Sequence, residues 1–223
     1  MVALYDLTRD ALGHAGALRT AFYLGIFPSS FFLAQVYTEG LFVGLVFGCL
    51  ALLRHNRWGW AALLAACATW TRGIGVALLI PLAWHWYRIG GWDRLRQTLS
   101  PKTLAPLLAV ASPLLAYLIW STLLGEPFHT VERQFFSRGL FLLGPSLKNW
   151  AGAFKSLFGE NLQTIAYYLI EFGALLLGLT ACALTWREHP DLSLFGLAVI
   201  LVSLTSGPAQ GMHRYVLDRK SVV

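Results

Sequence analysis

Four ionisable residues stand in or beside long apolar runs, where a charge is costly and calls for a use: Glu39, Arg72, Glu171 and Arg214. An arginine in such a place suits a phosphate or carboxylate, which its planar fork meets with charge-assisted, often bidentate hydrogen bonds. Glu39 lies in Tyr37-Thr38-Glu39-Gly40 and Arg72 in Thr71-Arg72-Gly73, both at interruptions of apolar sequence. They could share one site, or form a structural ion pair that closes two hairpin tips. Glu171, in Tyr167-Tyr168-Leu169-Ile170-Glu171, reads as a bond to a neighbouring helix rather than as a catalytic group. His129 and Glu132 are three apart, but two ligands do not make a metal site. His85, in Trp84-His85-Trp86-Tyr87, reads as part of an aromatic belt. Cys49, Cys67 and Cys182 are widely separated in apolar segments and read as packing residues. With no nucleotide-binding glycine loop and no Ser/His/Asp arrangement, neither a metal nor another cofactor is expected.

The elements that must position these groups follow from composition. Of 223 residues, 57% are hydrophobic and 13% charged, against roughly a quarter charged in soluble domains. Apolar blocks such as Leu41–Leu53, Leu104–Leu124, Leu162–Trp186 and Leu192–Leu204 alternate with short charged islands, and several approach the roughly 20 residues that cross a bilayer as a helix. A secreted protein with one leader would carry one such block, at its start. The net charge of +6 does not imply nucleic acid, because Lys and Arg collect in short loops as they do on the cytoplasmic side of membrane proteins.

Four islands set the predicted topology: Arg9 to Arg19, Arg54 to Arg57, Arg88 to Lys102, and Arg187 to Asp191. If all four face inward, residues 58–87 cannot be one long helix and must turn at Thr71-Arg72-Gly73. Residues 17–53 likewise form a hairpin, interrupted at Pro28-Ser29-Ser30 and before Glu39. The prediction is an all-α, polytopic transmembrane helix bundle. It comprises broken hairpins at about 17–53 and 58–87, helices at about 104–124, 162–186 and 192–207, and an outer loop at 125–160. Irregular backbone at membrane depth is tolerated where protein or a water-filled cavity covers it, so two adjacent broken hairpins imply an outward polar cavity. In the loop, Leu147, Trp150, Ala151, Phe154 and Phe158 fall at helical spacing, with Lys148 and Lys155 on another face. Such a helix lies in the membrane interface or packs as part of the loop.

The segment Phe27-Pro-Ser-Ser-Phe-Phe32, followed by Tyr37-Thr-Glu-Gly-Leu-Phe42, resembles the PIG-V-like mannosyltransferases. Thr71-Arg72-Gly-Ile-Gly75 resembles their next motif. Gly125-Glu-Pro-Phe128, Gln134-Phe-Phe-Ser-Arg138 and Pro145 are similar to their large outer loop, and His213-Arg214-Tyr215-Val216 to a later Arg-Tyr signature. The matches run in family order from near residue 5 to 217. The resemblance implies a glycosyltransferase of the GT-C superfamily, which takes mannose or another hexose from a polyprenyl- or dolichol-phosphate donor and passes it, with inversion, to a lipid-linked or glycan acceptor. In eukaryotes the family adds the second mannose of the GPI anchor precursor. The implied location is the bacterial plasma membrane or the endoplasmic reticulum membrane.

On that resemblance Arg72 and Arg214 stabilise the lipid phosphate as it leaves, Glu39 orients Arg72 or accepts a sugar hydroxyl, and Tyr37 and Tyr215 bond or stack on the sugar. Thr38, Gln134, Arg138 and His213 complete the binding set, with Glu39 and Arg72 as the catalytic pair. The family's general base is an Asp in a Trp-Asp-type outer loop near its N-terminus. No counterpart is found near the N-terminus here, since Asp6 and Asp10 belong to the inner island. The chain therefore reads as a fragment lacking both ends, inactive alone. The rival readings are a transporter with broken helices around a midplane site and a non-catalytic membrane subunit. After Thr38→Cys or Arg72→Cys substitution, an impermeant thiol reagent should label both positions from one side only; labelling that switches sides with substrate would indicate transport instead.

Overall fold

A computed structural model describes residues 1–26, 38–97, 101–123, 130, 142–207 and 209. Among these residues all regular structure is helical. The chain divides into two compact units, Met1–Leu123 and Leu124–Val223.

The first unit opens with α1, Val2–Ile26, which runs back through the basic island to the second residue and breaks at Gly13 (φ 69°, ψ 178°). Only Leu4, Leu7 and Ala17 of this helix are buried. The next helices, α2 (Thr38–Arg54) and α3 (Trp58–Thr71), form a hairpin. Its turn is a left-handed Asn56 (φ 56°). The Arg57 amide reaches back to the Leu52 carbonyl and the Asn56 amide to that of Leu53, the paired bonds of a Schellman stop. Arg54 donates to the Leu7 carbonyl (2.6 Å) and His55 meets Asp6 (3.0 Å), which fastens α1 to this end. Helix α3 lies between α2 and α6 (Pro101–Leu123). Its Ala61, Ala65 and Ala68 are fully buried, small residues on one stripe that let neighbouring backbones approach closely.

After α3 the chain takes one extended residue, Arg72, then a 3-10 turn, Gly73–Leu78, and returns as α4, Leu79–Arg88. Helix α3 rises about 21 Å, and the turn plus α4 about 27 Å, so the return limb reaches the starting end. There His85 Nε2 lies 3.2 Å from Asn56 Oδ1, and the His85 ring packs on Trp58. A short α5, Gly91–Gln97, leads to α6. Pro113 in α6 cannot donate to the Ala109 carbonyl. The Ser112 hydroxyl donates to that carbonyl instead (2.8 Å).

The second unit contains α7 (Leu143–Ser156), α8 (Leu162–Thr185) and α9 (Pro190–Thr205). Asn161 caps α8 by accepting from the Gln163 and Thr164 amides, and Pro190 opens α9 at the position where its missing amide costs nothing. The pairs Thr185/Ser193, Cys182/Gly196 and Gly178/Ile200 touch in sequence, an antiparallel register in which glycines admit the facing side chains. Of the described helices α8 alone is long and apolar enough to cross a membrane. Its 24 residues rise about 36 Å, against a hydrocarbon core of about 30 Å. The apolar stretch Leu104–Trp120 of α6, and α9, are shorter.

Gly75 decides the tightness of the α3–α4 reversal. A Cβ there would sit 2.6 Å from the Thr69 amide nitrogen and 2.8 Å from the Ala68 carbonyl carbon, both backbone atoms. Gly75→Ala should therefore cost about 1–3 kcal/mol through overpacking. Gly59→Ala, in α3 with open space around it, should be neutral or stabilise by up to about 1 kcal/mol through helix propensity. Thermal unfolding of the two variants in detergent micelles measures the contrast.

Candidate functional site

The polar centre of the first unit lies where α3 ends and α2 begins. Arg72 is extended (φ −151°, ψ 130°) and its backbone is satisfied on both sides: its amide donates to the Ala68 carbonyl (2.9 Å) and its carbonyl accepts from Gly75 (2.8 Å). The guanidinium crosses to α2, where Nε donates to the Thr38 hydroxyl (3.2 Å) and Nη2 donates to Glu39 Oε1. The Glu39 side chain is 9% exposed and that of Arg72 30%. Glu39 occupies the first turn of α2, where the helix dipole favours a carboxylate, so dipole and arginine act on it together. Its second oxygen, Oε2, is buried and without a hydrogen-bond partner. A buried acceptor left this way is rare and calls for an explanation.

Trp70 holds the tip in place. Two residues before Arg72, its indole N–H donates to the Ala116 carbonyl of α6 (2.8 Å). Arg72 is thus positioned by α2 through its side chain, by α3 through its backbone, and by α6 through Trp70. A cation held by three elements is preorganised for an anion, since little reorganisation is needed when charge develops beside it.

Of the residues singled out from sequence, Thr38, Glu39 and Arg72 come together here. Tyr37, Gln134, Arg138, His213, Arg214 and Tyr215 lie outside the described residues, as do His129 and Glu132. No family model, curated protein or solved structure matches this chain. What the site can do is therefore set by its own residues. Among the described residues no three potential metal ligands gather. A depression of about 730 Å³, lined by Leu52, His55, Arg57, Trp60 and Leu64, shares no residue with the Arg72 cluster and borders the α2–α3 turn.

Glu171 is a second buried carboxylate, fully enclosed, in α8. It accepts from the Tyr167 hydroxyl one turn earlier on the same helix (3.0 Å), so this contact is made within its own helix. The spacing of four residues was readable in the sequence; the complete burial was not. Trp70 and Asp6 were missed as positioning residues, because their partners, Ala116 and His55, are 46 and 49 positions away.

Removing Arg72 strands a mostly buried carboxylate, the costly way to break such a pair. Arg72→Leu should lose about 3–5 kcal/mol of stability, and adding Glu39→Leu should restore most of it. Denaturant titrations of the two single variants and the double variant give the coupling directly.

Proposed function

We propose that this chain is the lipid-phosphate-binding part of a polytopic hexosyltransferase, with Arg72, Glu39 and Thr38 at its donor site. The observation that carries the reading is the fixed guanidinium at the tip of a broken hairpin, paired to a carboxylate whose second oxygen still lacks a donor. Arg54, Arg57 and Arg88 belong to the opposite end of the same hairpins, where His85 meets Asn56. With the basic end inside, the tip faces outward, and α6 and α9 accompany α8 as spans. A donor anchored in the bilayer by its polyprenyl chain would deliver its phosphate at that level.

In the transfer, the bond between the sugar's anomeric carbon and the phosphate oxygen breaks while an acceptor hydroxyl oxygen attacks from the opposite face. The bonding pair leaves with the polyprenyl phosphate, the acceptor proton passes to a general base outside the residues assigned here, and the anomeric configuration inverts. Arg72 meets the charge that grows on the leaving phosphate, and Glu39 Oε2 takes a hydrogen bond from a sugar hydroxyl. Mannose is the sugar that the motif resemblance favours, and no cofactor enters the reaction.

Donor binding tests this without requiring turnover. Arg72→Lys keeps the charge beside Glu39 but loses the planar fork, so the fold should survive while affinity for a polyprenyl-phosphate mannose falls roughly ten- to hundred-fold, the value of a charge-assisted hydrogen bond of about 1.5–3 kcal/mol. Glu39→Gln should remove the preference for the sugar-bearing lipid over plain polyprenyl phosphate. Unchanged donor affinity in a folded Arg72→Lys protein would reduce the pair to a structural clip and favour the non-catalytic reading.

A further inference from the structure

Helix α9 has 16 residues and rises about 24 Å, short of a hydrocarbon core of about 30 Å. Its C-terminal carbonyls would otherwise end unpaired at that depth, and α7 meets them. The Leu142 amide donates to the Thr205 carbonyl (2.8 Å), the Trp150 indole to that of Leu204 (3.2 Å), and the Asn149 side chain to that of Gly207 (2.7 Å). Helix α7 therefore sits at the level where α9 stops. Trp150 and Phe154 also pack on Phe172 of α8, and α8 continues past this level to Leu162.

That docking uses only part of the surface of α7. At about 100° per residue, Leu143, Leu147 and Phe154 share one stripe, and they are 64%, 74% and 55% exposed. Phe158, just beyond the helix and packed on Phe154, is 79% exposed. Lys148 and Lys155 share a neighbouring face, about 100–120° round the helix from this stripe, both are exposed, and the helix carries no acidic residue. The stripe adjoins α8, whose Leu169, Ile170, Leu176 and Leu177 are likewise exposed.

We propose that α7 lies along the hydrocarbon–headgroup boundary and binds anionic phospholipid, its apolar stripe entering the acyl chains while Lys148 and Lys155 contact lipid phosphates. The occupant follows from charge complementarity and from continuity with the exposed apolar face of a helix long enough to cross the bilayer. Amphipathic helices that lie in this boundary combine such a stripe with basic residues at its edge, and long lysine stems reach from apolar surface to a phosphate. The inference stands apart from sugar transfer and holds whether or not Arg72 binds a donor.

Two measurements on the full chain in vesicles test it. The first places nitroxide labels at Leu147→Cys or Phe154→Cys, with Cys49, Cys67 and Cys182 replaced by Ala, in vesicles of phosphatidylcholine and phosphatidylglycerol. Both labels should favour collisions with oxygen over a water-soluble nickel chelate, and a label at Gly152→Cys the reverse. The second compares the association of spin-labelled phosphatidylglycerol and phosphatidylcholine with the protein. Selectivity for the anionic lipid should fall by roughly five-fold for each lysine removed in Lys148→Gln and Lys155→Gln, should survive in the Lys148→Arg/Lys155→Arg protein, and should weaken with salt. Water-exposed labels at 147 and 154 would overturn the placement. Buried labels with equal association of both lipids in the unmodified protein, or selectivity untouched by the Gln substitutions, would overturn the lipid assignment.

Discussion

A carbonyl that loses its helical partner in apolar surroundings must be met by another donor, and the breaks in this chain are arranged around that requirement. Three interruptions show how the donor is supplied. Pro113 releases the Ala109 carbonyl and the adjacent Ser112 hydroxyl takes it. The Leu204 and Thr205 carbonyls of α9, and that of Gly207 just beyond it, are taken by the Trp150 indole, the Leu142 amide at the N-cap of α7 and the Asn149 carboxamide. At Arg72 the backbone bonds in both directions across the break. At these three places a break in the helix is accompanied by a donor for a carbonyl beside it.

Glu39 and Glu171 are the buried carboxylates among the described residues. Glu39 has a cation, a helix dipole and a neighbouring hydroxyl that shares the same arginine. Glu171 has a tyrosine hydroxyl from its own helix. The first arrangement joins the start of α2 to the end of α3 across 33 positions of sequence. The Tyr167 contact of Glu171 is made within one turn of one helix. A charge pair that spans separate elements is suited to orienting a ligand, because its geometry is set by the fold rather than by local helix spacing.

The legibility of the structure follows the range of the interactions. Long apolar blocks mark helices by composition alone, and charge placement identifies 71–73 as a reversal, since Arg57 and Arg88 must then share an end; the structure has an extended Arg72 there and brings His85 back to Asn56. Nearness of Glu39 and Arg72 follows from putting both at hairpin tips. The start of α1 at Val2 was not legible, because a basic island within an apolar chain reads as a loop until Asp6 and Leu7 find His55 and Arg54. Trp70 was equally hidden, since nothing local distinguishes an indole that anchors a hairpin tip from one that lines an apolar surface. The stripe on α7 was visible, but its task at the end of α9 depends on donors whose acceptors lie more than fifty positions away.

The pairing of Glu39 with Arg72 also orders the birth of the protein. Glu39 leaves the ribosome 33 residues ahead of its partner, so at roughly 5–20 residues per second its carboxylate waits about two to seven seconds before the guanidinium is even synthesised. For that interval Glu39 is without the guanidinium that it meets in the fold, and the pair can close only after the turn that follows α3 has been made. Closure of this pair is therefore a step that follows the synthesis of both α2 and α3.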